Sequence, residues 1–239
     1  MGVPPFSRFP YSMDMTPTSS THRTTILKVQ VGSHAHGLAE SESDQDFRSV
    51  FVVPTADLFR LDFKYPPASW KTGEGDEVSW EIAPFLSLAL QSHPLILETF
   101  IAPVVTKNDW GTELQSLFPA VWSPQKAFEA FTGYAKNQRT KFLDKKDSRP
   151  EKYAAAYVRV LSNLCELLET GTFTVRIRDT PLGESIVRIK QGAYRIGEVI
   201  DLGEELTQKA SRALHPCPHQ HNIQQVEDFL IRIRTAFLP

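Results

Sequence analysis

The stretch Val31-Gly32-Ser33-His34-Ala35-His36-Gly37-Leu38-Ala39-Glu40-Ser41-Glu42-Ser43-Asp44-Gln45-Asp46-Phe47-Arg48 decides the fold. Two strands bracket it. Upstream, residues 26–31 alternate apolar and polar side chains; downstream, residues 47–53 are rich in β-branched and aromatic types and stop at Pro54. Gly32-Ser33 directly after a strand turns backbone N–H groups toward an anion where a short helix begins, and Ser33 adds a hydroxyl donor. Glycine at 32 and again at 37 lets a polyphosphate approach the backbone. Asp44-Gln45-Asp46 then opens the next strand, where side chains at i and i+2 share a face. Two carboxylates so placed suit magnesium, which takes hard oxygen ligands and leaves places for phosphates. A Gly-Ser pair alone is a common turn, and an Asp-x-Asp alone is a common solvated strand end. Their ordered combination carries the signal.

Working outward, residues 77–82 alternate again and read as a third strand, after a Pro- and Gly-containing loop over residues 64–75. Pro84 reads as the start of a helix with Phe85, Leu88 and Ala89 on one face; His93-Pro94 interrupts it, and a further turn carries Leu95, Leu97 and Phe100. The second half reads as helices over 126–143, 153–169, 180–192 and 194–214, with a last one capped by Asn222. In the helix over 153–169, Tyr157, Leu161, Leu164 and Leu168 recur at helical spacing and Gly171 supplies the stop. Residues 172–178 read as a short strand or extended segment. The expected fold is therefore α+β: a small mixed β-sheet core with helices over residues 24–124, then a helical C-terminal region over 125–239, with 1–23 a poorly ordered extension.

With 239 residues, 41% of them hydrophobic, the chain can bury a sizeable core. No apolar run is long enough for a bilayer, and the Pro- and Ser-rich N-terminus lacks the apolar segment of a signal peptide. Two cysteines argue against a disulfide framework and point to a reducing, cytoplasmic setting. The net charge of −2 is uneven: residues 1–124 hold 8 Lys/Arg against 14 Asp/Glu, and residues 125–239 hold 18 against 14. The basic excess lies within 136–152, with 7 basic and 3 acidic residues. An acidic half suits metal ions and a basic half a phosphate-bearing substrate, although long surface helices carry such charge for solvation alone.

The order strand, Gly-Ser, short helix, Ser-Asp-x-Asp, strand is similar to the signature of the DNA polymerase beta-type nucleotidyltransferases. The chain resembles a small branch of that superfamily linked by name to RNA repair. The matching pieces are Gly-Ser-His-Ala-His-Gly from residue 32, Ser-Asp-Gln-Asp-Phe-Arg-Ser-Val-Phe-Val-Val-Pro from residue 43, and Phe-Leu-Ser-Leu-Ala-Leu-Gln-Ser-His-Pro-Leu-Ile-Leu-Glu over 85–98. Lys152, Arg159, the Leu-rich helix to Gly171, and Ile-Lys-Gln-Gly over 189–192 extend the likeness through the helical half. One departure is Ala156, where the branch pattern Lys-x-x-x-His-x-x-Arg has histidine.

The resemblance implies transfer of a nucleoside monophosphate from an NTP, with ATP the usual donor, to an acceptor hydroxyl, with release of pyrophosphate. The acceptor stays open between an RNA end, a protein side chain and a small alcohol. It implies magnesium held by Asp44, Asp46 and a third carboxylate, with Asp76, Glu77 and Glu81 as candidates and Glu77 preferred. Gly32, Ser33 and Gly37 would hold phosphates. Arg48 shares the face of Asp46 and is a further nucleotide-binding candidate, although a strand-surface arginine is the preferred reading. Lys136, Arg139, Lys152 and Arg159 are candidates for the acceptor side. The alternative function is a nucleotide-binding regulator without turnover, and a metal-dependent phosphohydrolase using His34 or His36 as base is a further one.

Other residues have plainer readings. His215, Cys217, His219 and His221 cluster four metal-ligating types, but at a spacing that matches no zinc finger or ribbon. His34 and His36 read as exposed, the four tryptophans as core, and Glu98 as a branch feature making a helix-end hydrogen bond.

Overall fold

The computed structural model describes residues 23–65, 69–71 and 76–238. The expected extension over 1–23 thus lies almost wholly outside the described residues. Among the described residues, five strands, β1 (Thr24–Val31), β2 (Asp46–Val52), β3 (Ser69–Lys71), β4 (Asp76–Glu81) and β5 (Val104–Lys107), form one sheet in the order β3-β4-β2-β1-β5. The sheet is mixed: β2 and β4 run parallel, and the other pairs are antiparallel. The α+β architecture read from the sequence is the one observed.

The helices are α1 (Gly32–Ala35), α2 (Ile82–Ala89), α3 (Pro94–Ile101), α4 (Asp109–Ser116), α5 (Pro124–Leu143), α6 (Pro150–Thr170), α7 (Gly183–Lys190), α8 (Ile196–Leu214) and α9 (Ile223–Ala236). α5 and α6 pack against each other, and α6 also carries α7 and α8. Leu27 and Val29 of β1 and Val50 and Val52 of β2 are buried in the same apolar cluster as Phe131, Leu161 and Leu164 of the helical half. One core therefore runs through both halves. The C-terminal helix closes back on the sheet: the Thr55 N–H donates to the Phe237 carbonyl at 2.9 Å, and Arg234 pairs with the buried Glu81 at 2.7 Å.

Several local readings change. Residues 69–71 form β3 inside what reads as a loop. Neither β5 nor α4 shows in the sequence pattern. All four residues of β5 are exposed, so the strand is held by backbone pairing to β1 and leaves no burial pattern to detect. α2 begins at Ile82, two residues before Pro84, because the Glu81 carboxylate accepts from the Ala83 N–H at 2.9 Å and caps the first turn. Leu88 faces water rather than the core, at 39% exposure. In residues 172–178, Phe173, Val175 and Ile177 are buried as the alternation implies. They pack on helices instead of joining a sheet, and the segment ends in a 3-10 turn at Ile177–Asp179. α7 starts at Gly183, not Thr180, whose hydroxyl donates to the Ile177 carbonyl instead of capping the helix.

α4 is positioned by close backbone approach. Asn108 caps it by accepting from the Gly111 N–H, and a Cβ at Gly111 would sit 2.0 Å from the Ile26 carbonyl oxygen of β1. Gly111→Ala should therefore force the two backbones apart and cost about 1–3 kcal/mol. Gly133→Ala, in the middle of α5 with open space around it, should gain up to about 1 kcal/mol from helix propensity. Urea unfolding of the two variants checks both signs.

Candidate functional site

β1 delivers the chain into α1 through Gly32, which sits at φ +69°. A Cβ there would lie 2.0 Å from Oδ2 of Asp46. Glycine is thus required twice, by the left-handed backbone and by the carboxylate lying against its Cα. α1 is a single turn, closed by His36 N–H to the Gly32 carbonyl at 3.1 Å and Leu38 N–H to the Ser33 carbonyl at 2.8 Å. Gly37 is also left-handed, at φ +72°, and a Cβ on it would meet Arg178 Cβ at 3.0 Å and Arg176 Cγ at 3.2 Å. The Arg178 N–H donates to the His36 carbonyl, and Lys190 of α7 bonds the Leu38 carbonyl. The helical half thus grips the far end of the glycine loop, through residues that nothing in the local sequence ties to it.

The strand register places the carboxylates. Val31 pairs with Asp46 across β1 and β2, and Asp46 pairs with Asp76 across β2 and β4. Partners in parallel register point to one face, so Asp46 and Asp76 are neighbours on the same side of the sheet. Asp44 precedes β2 and is exposed. Burial raises the pKa of Asp46; Lys152 and Arg48 oppose the rise, and the charges of Asp76 and Asp44 add to it.

Glu77 does not complete this group. It pairs with Phe47, on the opposite face, where its carboxylate accepts from Lys28 Nζ at 2.7 Å and from the Ser49 hydroxyl at 2.5 Å. Glu81 is taken up by Arg234 and by the α2 cap. The acid that the register sets beside Asp46 is Asp76. The expectation for Glu77 misses by one residue, and in a strand one residue exchanges faces.

Arg48 is not a surface arginine. Its side chain is 12% exposed, and Nη1 donates to the Glu98 carboxylate at 2.9 Å and to the Leu95 carbonyl at 2.6 Å. Glu98, 2% exposed, also contacts His36 Nε2 and lies 3.7 Å from Arg159 Nη1 of α6. One carboxylate therefore joins the glycine loop, β2, α3 and α6. Burial opposes its ionisation and is the largest single effect, but His36, Arg48 and Arg159 together outweigh it and hold its carboxyl well below the usual range. Burial, then the charge of Arg159, lowers the pKa of His36. His36 is thus an interior residue, and His34 is half-buried with its ring Nε2 on the Ser43 carbonyl at 2.9 Å. Neither histidine is the exposed group that the sequence suggests.

Among the basic candidates, Lys152 stands in the first turn of α6, exposed and within electrostatic reach of Asp46. Arg159 belongs to the Glu98 network, Arg139 pairs with Glu204 at 3.5 Å, and Lys136 is exposed on α5. Among the described residues no three His, Cys, Asp or Glu side chains stand close enough to hold a metal by themselves. In the 215–221 segment, His219 lies flat on the buried Trp122 with ring centroids 3.7 Å apart.

Compared with known proteins, residues 11–228 match the family model RlaP, described as RNA repair pathway DNA polymerase beta family. No curated protein matches the chain. One solved structure, a nucleotidyltransferase-like protein from Exiguobacterium sibiricum 255-15, aligns over 89% of this chain and 74% of its own at 9% identity and a TM-score of 0.26, too distant to inform the site.

Replacing Glu98 by Gln would leave two guanidinium groups in one dry site without a counter-charge. Unfolding free energy at neutral pH should fall by about 3–5 kcal/mol. The folded pKa of Glu98 lies below its unfolded value of about 4.3, so its contribution is full above that value and is lost as pH falls through the folded one. Wild type and Glu98→Gln should accordingly converge in acid. Equal stability of the two at neutral pH would refute an ionised network.

Proposed function

As a member of the RNA repair pathway DNA polymerase beta family, and so a nucleotidyltransferase of the polymerase beta type, the chain carries a site whose use we propose as follows. The protein moves a nucleoside monophosphate from an NTP, with ATP the expected donor, to an acceptor hydroxyl at an RNA end, and magnesium is required. The observation that carries this reading is the contact of Asp46 with the Cα of Gly32, together with Asp76 in register beside Asp46. A carboxylate thereby stands directly against the turn whose N–H groups have no intrahelical partner.

The donor set fits magnesium. Asp44, Asp46 and Asp76 offer hard oxygens only, and one or two carboxylates with substrate phosphates and water satisfy that ion. Bound there, magnesium supplies charge neutralisation on the phosphates and activation of the attacking hydroxyl. The protein's own groups divide along the sheet. Gly32 and Ser33, at the end of β1, face the phosphate chain. Asp76, one strand beyond Asp46 and about 4.8 Å further from the glycine turn, faces the acceptor and takes the proton from its hydroxyl. The acceptor oxygen bonds to the α-phosphorus, the α–β bridging bond breaks, and pyrophosphate leaves. The arrangement works by positioning and charge, as phosphoryl-type transfer requires. Both cysteines are free, consistent with the reducing cytoplasm we assign to it.

Calorimetric titration of ATP with magnesium, with pyrophosphate release followed over RNA oligomers, tests the assignment. Asp46→Asn and Asp76→Asn should each reduce release by more than the roughly 10–100-fold typical of losing a group that merely supports a metal ligand, whereas Glu77→Gln should stay within a few-fold of wild type. Binding without release on every acceptor would point to a silent regulator, and no binding would end the nucleotide reading. Metal binding needs Asp46 ionised. Because its pKa is raised, magnesium-dependent binding should weaken on acidification from a higher pH than an ordinary aspartate near about 3.9 would give.

A further inference from the structure

A nucleoside triphosphate brings several negative charges to a site that already holds three carboxylates, so cations must come from somewhere near. Two cations on the strands β1 and β2 are already committed. Lys28 is bound to Glu77 on the opposite face of the sheet, and Arg48 Nη1 is held by Glu98 and the Leu95 carbonyl. The helical half supplies Lys152. It lies seven residues before Arg159 on α6, two helical turns and about 10.5 Å away on the same face. That face is anchored: Arg159 is 7% exposed and sits at Glu98, Glu98 holds Arg48, and Arg48 is two residues from Asp46 on the same side of β2. The chain of contacts therefore turns the face bearing Lys152 toward the start of β2. Lys152 itself is exposed and enters no ion pair among the described residues. The residue between them on this face, Ala156, is small and half-buried.

We propose that Arg159 and Glu98 are positioning residues for nucleotide binding: their ion pair registers α6 on β2 so that the Lys152 ammonium meets the phosphate chain beside Asp46. The inference rests on the nucleotidyltransferase reading of the site. It assigns Lys152 to the nucleotide and not to the acceptor, and it gives a buried ion pair a task that shows up in binding. In the nucleotide-free protein Lys152 offsets the crowding of Asp44, Asp46 and Asp76; with nucleotide bound, the ammonium shifts to the phosphate oxygens.

The test is a double-mutant cycle on magnesium-dependent ATP affinity, using Lys152→Met, Arg159→Met and the pair. Arg159→Met leaves Glu98 and Arg48 as a one-to-one pair, so the fold keeps a balanced interior. Lys152→Met should weaken ATP binding about tenfold, the scale of a lost charge-assisted contact. Arg159→Met should weaken it by a similar factor, and the double variant should be no worse than Lys152→Met alone, because Arg159 acts through Lys152. Arg159→Lys should restore part of the loss, and it replaces Arg159→Met in the cycle if that variant does not fold. Independent effects that multiply in the double variant would overturn the proposal, as would an Arg159 variant that binds like wild type. Unchanged affinity in Lys152→Met while wild type binds ATP and Asp46→Asn does not would refute it and leave the site reading standing. A wild type that binds no ATP sinks both.

Discussion

The carboxylate of Glu98 is closed off from water and ionised, and that combination constrains everything around the site. An ionised group in a dry interior is tolerated only with partners of opposite charge in good geometry. Glu98 draws its charged partners from two different elements, Arg48 in β2 and Arg159 in α6, and His36 at the end of α1 adds a hydrogen bond from a third. None of the four can relocate without stranding another. The glycine loop, the carboxylate strand and the helical half are thus tied at one point, and Asp46 lies two residues from that point. Two arginines face one acid there, so the network carries surplus positive charge beside Asp46 and its neighbouring carboxylates, which fits a site that takes an anionic substrate.

The second constraint is steric. Asp46 rests against the Cα of Gly32, and Gly37 is crossed by Arg176 and Arg178 from a segment some 140 residues further on. Backbone that must be left-handed and also bare of a side chain is glycine on both counts. The same loop is therefore held from its strand side by a carboxylate and from its far side by the helical region. The tie to α9 through Glu81 and Arg234 adds a further closure on β4. Asp76 begins the strand that this ion pair ends.

The family was legible in the sequence because its signals are local, and the same signals pointed to the candidate site. A strand ending in Gly-Ser and two aspartates at a spacing of two depend on neighbours in the chain, and periodicity located the long helices α5, α6, α8 and α9. Elements without a burial pattern were not legible: β5 is exposed along its whole length and exists only because β1 offers it hydrogen bonds. Residues 172–178 read as a strand or extended segment, and burial of alternate residues against helices leaves the same trace as burial in a sheet.

The residues of the chain declare the chemistry on offer: a glycine turn, two carboxylates at a spacing of two and a basic helical half. Which of these groups meet is set by the folded arrangement. Asp76 and Glu77 are adjacent in sequence and similar in chemistry, and the parallel register of β2 and β4 alone puts one beside Asp46 and the other on the far face with Lys28. Arg48 and Glu98 lie 50 residues apart, and Arg159 a further 61, so their union has no local signature. Pairing across a sheet and burial of a shared charge are contacts between distant segments, and no spacing along the chain encodes them.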